Sequence, residues 1–145
     1  MFMSKLFGVG DMDKVGCSEF DKVMTGSNKK SFSLFYNGGS IWCEHLDSLC
    51  DQKQLVLEKF TKDLVEIRKP STSAYLAVNL DETVVDEEIL SFILDSFVQM
   101  EKALRKVVFV GLKLKWKHYV KKRSQGVPFM TGCVDDFEKA KAWLV

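Results

Sequence analysis

Two short apolar runs, Ala74-Tyr75-Leu76-Ala77-Val78-Asn79-Leu80 and Val107-Val108-Phe109-Val110-Gly111, constrain this chain more than any other feature. Each has the length of a strand and lacks the polar alternation of a strand with one wet face, so each reads as a strand covered on both sides. Between them, Asp86-Glu87-Glu88 put carboxylates where the unpaired amides and positive dipole end of a helix favour them. Ile89, Leu90, Phe92, Ile93, Leu94, Phe97 and Val98 follow on more than one stripe. The spacing predicts a helix running to about Leu104, the most buried of the molecule. A strand, a crossover helix and a second strand together call for parallel pairing.

The flanking sequence extends the same alternation. Phe32, Leu34 and Tyr36 alternate with polar or smaller residues, meet Asn37-Gly38-Gly39, and give way to a second run from Ile41 to Leu46, the pattern of a tight hairpin. Leu57, Phe60, Leu64 and Ile67 recur at helical spacing among Lys59, Lys62 and Glu66 until Pro70 stops the run. After Gly111 come a helical segment through Tyr119 to Arg123, a turn at Gly126-Val127-Pro128 and a strand around Phe129 to Val134. Asp135-Asp136 then open a short amphipathic helix carrying Phe137, Ala140, Trp143 and Leu144. The predicted order is β-β-α-β-α-β-α-β-α, an α/β fold with about five strands in a mixed, mostly parallel sheet and about four helices. Residues 1–30, rich in Gly, Asp, Ser and Lys with one amphipathic turn from Ser18 to Met24, read as an N-terminal arm, and 31–145 as the domain.

A chain of 145 residues, 46% of them hydrophobic, builds one core without metal or disulfide staples. Its net charge of +1 offers no whole-molecule attraction to nucleic acid, and no specific nucleic-acid partner is expected. Cys17, Cys43, Cys50 and Cys133 are irregularly spaced and follow no export signal, so reduced thiols and a cytoplasmic location are expected. The opening residues lack an apolar run of membrane-spanning length, so the protein is not expected to be integral to a membrane.

Asn79-Leu80-Asp81-Glu82 leading through a short loop to Asp86-Glu87-Glu88-Ile89, with Asp135 to Leu144 as a closing strand-helix junction, resembles the STAS domain family. That family comprises bacterial anti-sigma-factor antagonists and the cytoplasmic tails of sulfate transporters, and the resemblance covers Ser31 to Val145. In it, an Asp-Ser-Ser-Gly motif heads the helix, and its phosphorylated serine corresponds to Glu88, which accepts no phosphate. The resemblance implies a STAS-like fold and a non-enzymatic regulatory module that binds a protein partner. The docking residues are expected to be Asp81, Glu82, Val84, Val85, Asp86, Glu87 and Glu88, since clustered acids beside apolar side chains orient a basic partner. Glu88 itself stands either as a fixed charge imitating a phosphate or as ordinary first-turn stabilisation of a helix.

A second, basic segment contains no acid and interleaves Trp116, His118 and Tyr119 with Lys113, Lys115, Lys117, Lys121, Lys122 and Arg123. It suits a lipid headgroup or other anionic ligand, and a small-ligand or lipid carrier is the alternative function. Against that, Trp116, Tyr119 and Val120 have the spacing of an inward stripe under solvated lysines. The acidic and basic segments complement each other, within one molecule or across a homodimer. Cys43 and His45, one residue apart on a strand, share a face, but nothing marks a lowered thiol pKa, and core filling is the simpler role. Cys43, His45 and Cys50 lack the spacing of a metal site, and Gly8-Val9-Gly10 and Gly38-Gly39 lack a full phosphate fingerprint. No metal or cofactor is expected.

Overall fold

The structure, a computed structural model, describes residues 29–145. The Ser18 to Met24 turn, Gly8-Val9-Gly10, Cys17 and nearly all of the arm lie outside the described residues. Five strands and four helices alternate as the spacing requires: β1 Phe32–Tyr36, β2 Gly39–His45, α1 Lys53–Ile67, β3 Tyr75–Asn79, α2 Glu87–Val98, β4 Lys106–Val110, α3 Leu114–Arg123, β5 Met130–Val134 and α4 Phe137–Leu144. The sheet runs β1-β2-β3-β4-β5 in chain order; β1 is antiparallel to β2, and every later pair is parallel. Asn37 and Gly38, at φ 54° and 82°, make the two-residue turn whose twist suits a hairpin.

Strand alternation splits the core into two layers. Trp42, Leu76, Val78, Val107 and Phe109 face α1, α2 and α3, whereas Ile41, Cys43, Ala77, Val108 and Val110 face α4. α4 lies so close to β5 that a Cβ at Gly132 would stand 2.8 Å from the Trp143 ring, which explains the glycine in that strand. Side-chain caps start two helices: Asp86 accepts from the Ile89 amide and Asp136 from the Lys139 amide. No helix among the described residues is long and apolar enough to cross a membrane.

α2 ends at Val98, one and a half turns before the expected Leu104. The cause is tertiary. Lys102 Nζ donates to the carbonyls of Ile67, Lys69 and Thr72 at 2.7, 2.9 and 2.6 Å, closing the C-terminal end of α1, and Leu104 turns into the core to start β4. The buried stripe of α2 is also narrower than its composition suggests: Ile89, Leu90, Ile93, Leu94 and Phe97 are buried, but Phe92 and Val98 are exposed. Phe97 meets Phe60 of α1 edge to face at 5.5 Å between ring centroids. Truncation by Phe97→Ala is expected to cost about 3–5 kcal/mol in chemical denaturation, against under about 1 kcal/mol for Val98→Ala on the exposed side.

Candidate functional site

Because β2 to β5 are parallel, their carboxyl ends emerge on one edge of the sheet, where three loops meet: 46–52 after β2, 80–86 after β3 and 111–113 after β4. In open α/β sheets a deep crevice forms on this edge where strand order reverses. Here the order never reverses and α1, α2 and α3 share a face, so the loops close on one another. What remains is a shallow cleft of about 130 Å³ lined by Asp81 to Val85, Gly111 to Lys113 and Trp116. The edge offers a surface rather than an enclosure.

Backbone hydrogen bonds lace the first two loops together. The amides of Ser48 and Cys50 donate to the Asp81 and Glu82 carbonyls at 2.8 and 3.1 Å, and the Val84 amide donates to the Cys50 carbonyl at 2.7 Å. Beneath them the buried Thr83 hydroxyl donates to the Leu46 carbonyl at 2.6 Å and accepts from the Leu49 amide at 3.0 Å. The third loop presses in from the other side. At Gly111, φ 85°, any Cβ would stand 2.7 Å from the Asp81 Cα. Ser48, Cys50 and Glu82 hold φ of 60°, 57° and 55°, a conformation that side chains other than glycine and asparagine adopt at a cost. Three such residues in two touching loops mark a backbone set by its neighbours.

On this frame Asp81, Glu82, Glu87 and Glu88 are exposed and Val84 is half-buried. Two of the expected docking residues turn out to serve the fold. Val85, 9% exposed, packs into the core because the chain must descend into α2. Asp86 spends one oxygen on the Ile89 amide at 2.9 Å; burial pushes its carboxyl up, but hydrogen bonds from Lys53 and that amide outweigh it and hold it below the ordinary range. Lys53, at the start of α1, bridges Asp86 at 2.8 Å and Glu88 at 2.6 Å, so Glu88 is partly neutralised.

The basic residues are dispersed around α3. Lys117 pairs with Asp135 at 2.6 Å and Arg123 with Asp95 at 2.7 Å, Lys115 lies over the Trp116 ring at 4.8 Å, Lys113 borders the cleft, and Lys121 and Lys122 are exposed. Trp116, Tyr119 and Val120 form the inward stripe. Arg123 to Asp95 is the one ion pair among the described residues between the acid-rich and basic segments, and it lies within the molecule.

Cys43 and His45 share a face of β2, but the thiol is buried and burial raises its pKa to about 11, which makes it a poor nucleophile. His45 directs Nδ1 to Asp47 at 2.8 Å and stacks between Phe32 and Phe137. Cys50 is disulfide-bonded, against the expectation of reduced thiols, whereas Cys43 and Cys133 are free. Among the described residues, no group of three or more His, Cys, Asp and Glu side chains is placed to hold a metal ion.

Sequence reasoning missed a buried acid. Glu44, 1% exposed, sits on β2 under α1, with Trp42 Nε1 donating to Oε1 at 2.9 Å. Burial first, then the neighbouring Asp63 carboxyl, raises its pKa to about 9, so Glu44 carries a proton and donates it to Asp63. Asp63 is the ionised partner: burial pushes it up, but hydrogen bonds from Glu44, Ser31 and Lys59 outweigh that and hold it low. The visible signal was an acid two residues from Trp42, inside the apolar run Ile41 to Leu46.

Comparison with protein-family models, characterised proteins and solved structures finds no match to this chain.

Replacing the lacing hydroxyl by Thr83→Val is expected to cost about 1–3 kcal/mol in thermal or chemical unfolding, with Thr83→Ser recovering most of it, because it strands a buried amide and carbonyl. Glu44 generates a pH dependence of its own. Unfolded, it ionises near its ordinary value of 4.5, and folded at about 9, so between these values the native state retains a proton that the unfolded chain releases. Stability therefore falls as pH rises across that window and levels off above it. Glu44→Gln, whose amide supplies the missing donor to Asp63, is expected to flatten that decline in melting curves.

Proposed function

We propose that this protein is a non-enzymatic regulatory module of STAS-like type that docks a basic protein partner on the carboxyl edge of its sheet. Asp81, Glu82, Val84, Glu87 and Glu88 form the contact surface, and Val85 and Asp86 support it from beneath. The observation that carries this reading is the lacing of loops 46–52 and 80–86 through the Thr83 hydroxyl and three backbone hydrogen bonds that cross between them. A surface already held in one conformation loses little entropy on binding, and fixed carboxylates steer and orient a cationic partner. Strained left-handed residues at Ser48, Cys50 and Glu82 support the same reading, since backbone strain concentrates where function requires a set geometry.

The carrier alternative needs room between α3 and the sheet, and Trp116, Tyr119 and Val120 pack into the core there. The test is affinity capture from the protein's own source, with each captured protein then purified and its affinity measured. Reversal at Glu82, Glu87 and Glu88 to lysine is expected to weaken binding of the true partner at least about a hundredfold and to abolish its salt dependence. The unchanged circular dichroism of the variant would show that the surface and not the fold was lost. A partner whose affinity is unaffected by the reversal contradicts the proposal.

A further inference from the structure

The outward face of α3 is a second surface, of opposite charge. Val120 is buried and Trp116 and Tyr119 pack on the core, so Leu114, Lys115, His118, Lys121 and Lys122, which recur at three- and four-residue spacing, share the exposed side of the helix. Leu114 is 67% exposed. Of the cations on this helix, Lys117 and Arg123 are neutralised by Asp135 and Asp95, but Lys115, Lys121 and Lys122 form no ion pair among the described residues. No acid occurs in the sequence between Glu101 and Asp135. Three charges in no ion pair among the described residues thus stand on one short face of a molecule whose net charge is +1.

We propose that this face docks on a membrane bearing anionic phospholipid headgroups, with α3 lying in the headgroup plane, Leu114 entering the acyl boundary and the three lysines meeting phosphates and carboxylates. A single convex helix presents a row of cations to a plane, and each lysine can bury its apolar stem while its ammonium stays wet. Nucleic acid fits less well. Base stacking needs freely accessible rings, and Trp116 and Tyr119 are half-buried against the core, with Lys115 and Arg123 over them at 4.8 and 5.9 Å. The exposed apolar group is aliphatic, which suits lipid and offers nothing to a base. The proposal does not rest on the docking proposed at the acidic edge.

The experiment is co-sedimentation of the full chain with vesicles of phosphatidylcholine alone and of phosphatidylcholine mixed with phosphatidylserine. Binding is expected only to the mixed vesicles and is expected to fall steeply with salt. Neutralising Lys115, Lys121 and Lys122 to glutamine should weaken it roughly a hundredfold, since each lysine near an anionic surface contributes about a fivefold factor. The same change of net charge made elsewhere, by Lys30→Gln, Lys62→Gln and Lys139→Gln, should leave most of the binding intact, which separates this face from overall charge. Leu114→Ser should lower binding several-fold at every salt concentration. Equal loss in both triple variants, equal binding to uncharged vesicles, or retention of a DNA duplex without vesicle binding would each overturn the proposal.

Discussion

One buried hydroxyl, that of Thr83, sets the geometry on which the candidate site depends. It donates to Leu46, just past the end of β2, and accepts from Leu49 in the same loop, so the loops that follow β2 and β3 share one polar anchor. Buried backbone groups left unpaired are costly, and no strand continues far enough to pair them. Around this anchor the isolated bridge between Cys50 and Thr83 extends the parallel ladder past the last strand residues. The loop that carries Asp81 and Glu82 and leads to Glu87 and Glu88 at the head of α2 is thereby an extension of the sheet, and these acids are displayed by a rigid element.

The second theme is charge separation that the net value conceals. The carboxyl edge is acidic, α3 is basic, and the only ion pair joining these segments among the described residues is Arg123 to Asp95. Part of the remaining charge is paired locally, through Lys53 on the head of α2 and Lys117 on Asp135, while exposed carboxylates at one place and Lys115, Lys121 and Lys122 at another enter no ion pair among the described residues. The interior handles its own charge differently: Glu44 stays protonated under α1, which avoids burying two carboxylates side by side.

The fold was legible because its signals are local. Continuous apolar runs at 74–80 and 107–111, the Asn37-Gly38 turn and the capping aspartates Asp86 and Asp136 each act within a few residues. The end of α2 was not legible, because Lys102 acts on carbonyls about thirty residues away in sequence. The acids of the candidate site were visible as a cluster, but their division into exposed and structural members was not. Val85 and Asp86 look like surface residues until the descent into α2 is known. Thr83, Lys53 and Asp63 matter through partners on other elements, and Cys50 departs from the expected reduced thiol.

The central claim is that the acidic edge is held rigid before any partner arrives, and native-state amide hydrogen exchange tests it most directly. The amides of Ser48, Cys50 and Val84 sit in loops yet donate to carbonyls of the neighbouring loop at 2.7 to 3.1 Å. The account requires them to exchange as slowly as the central amides of β3 and β4, through the global unfolding reaction. Exchange as fast as that of exposed loop amides such as Ser71, with free energies of opening near zero, would contradict it.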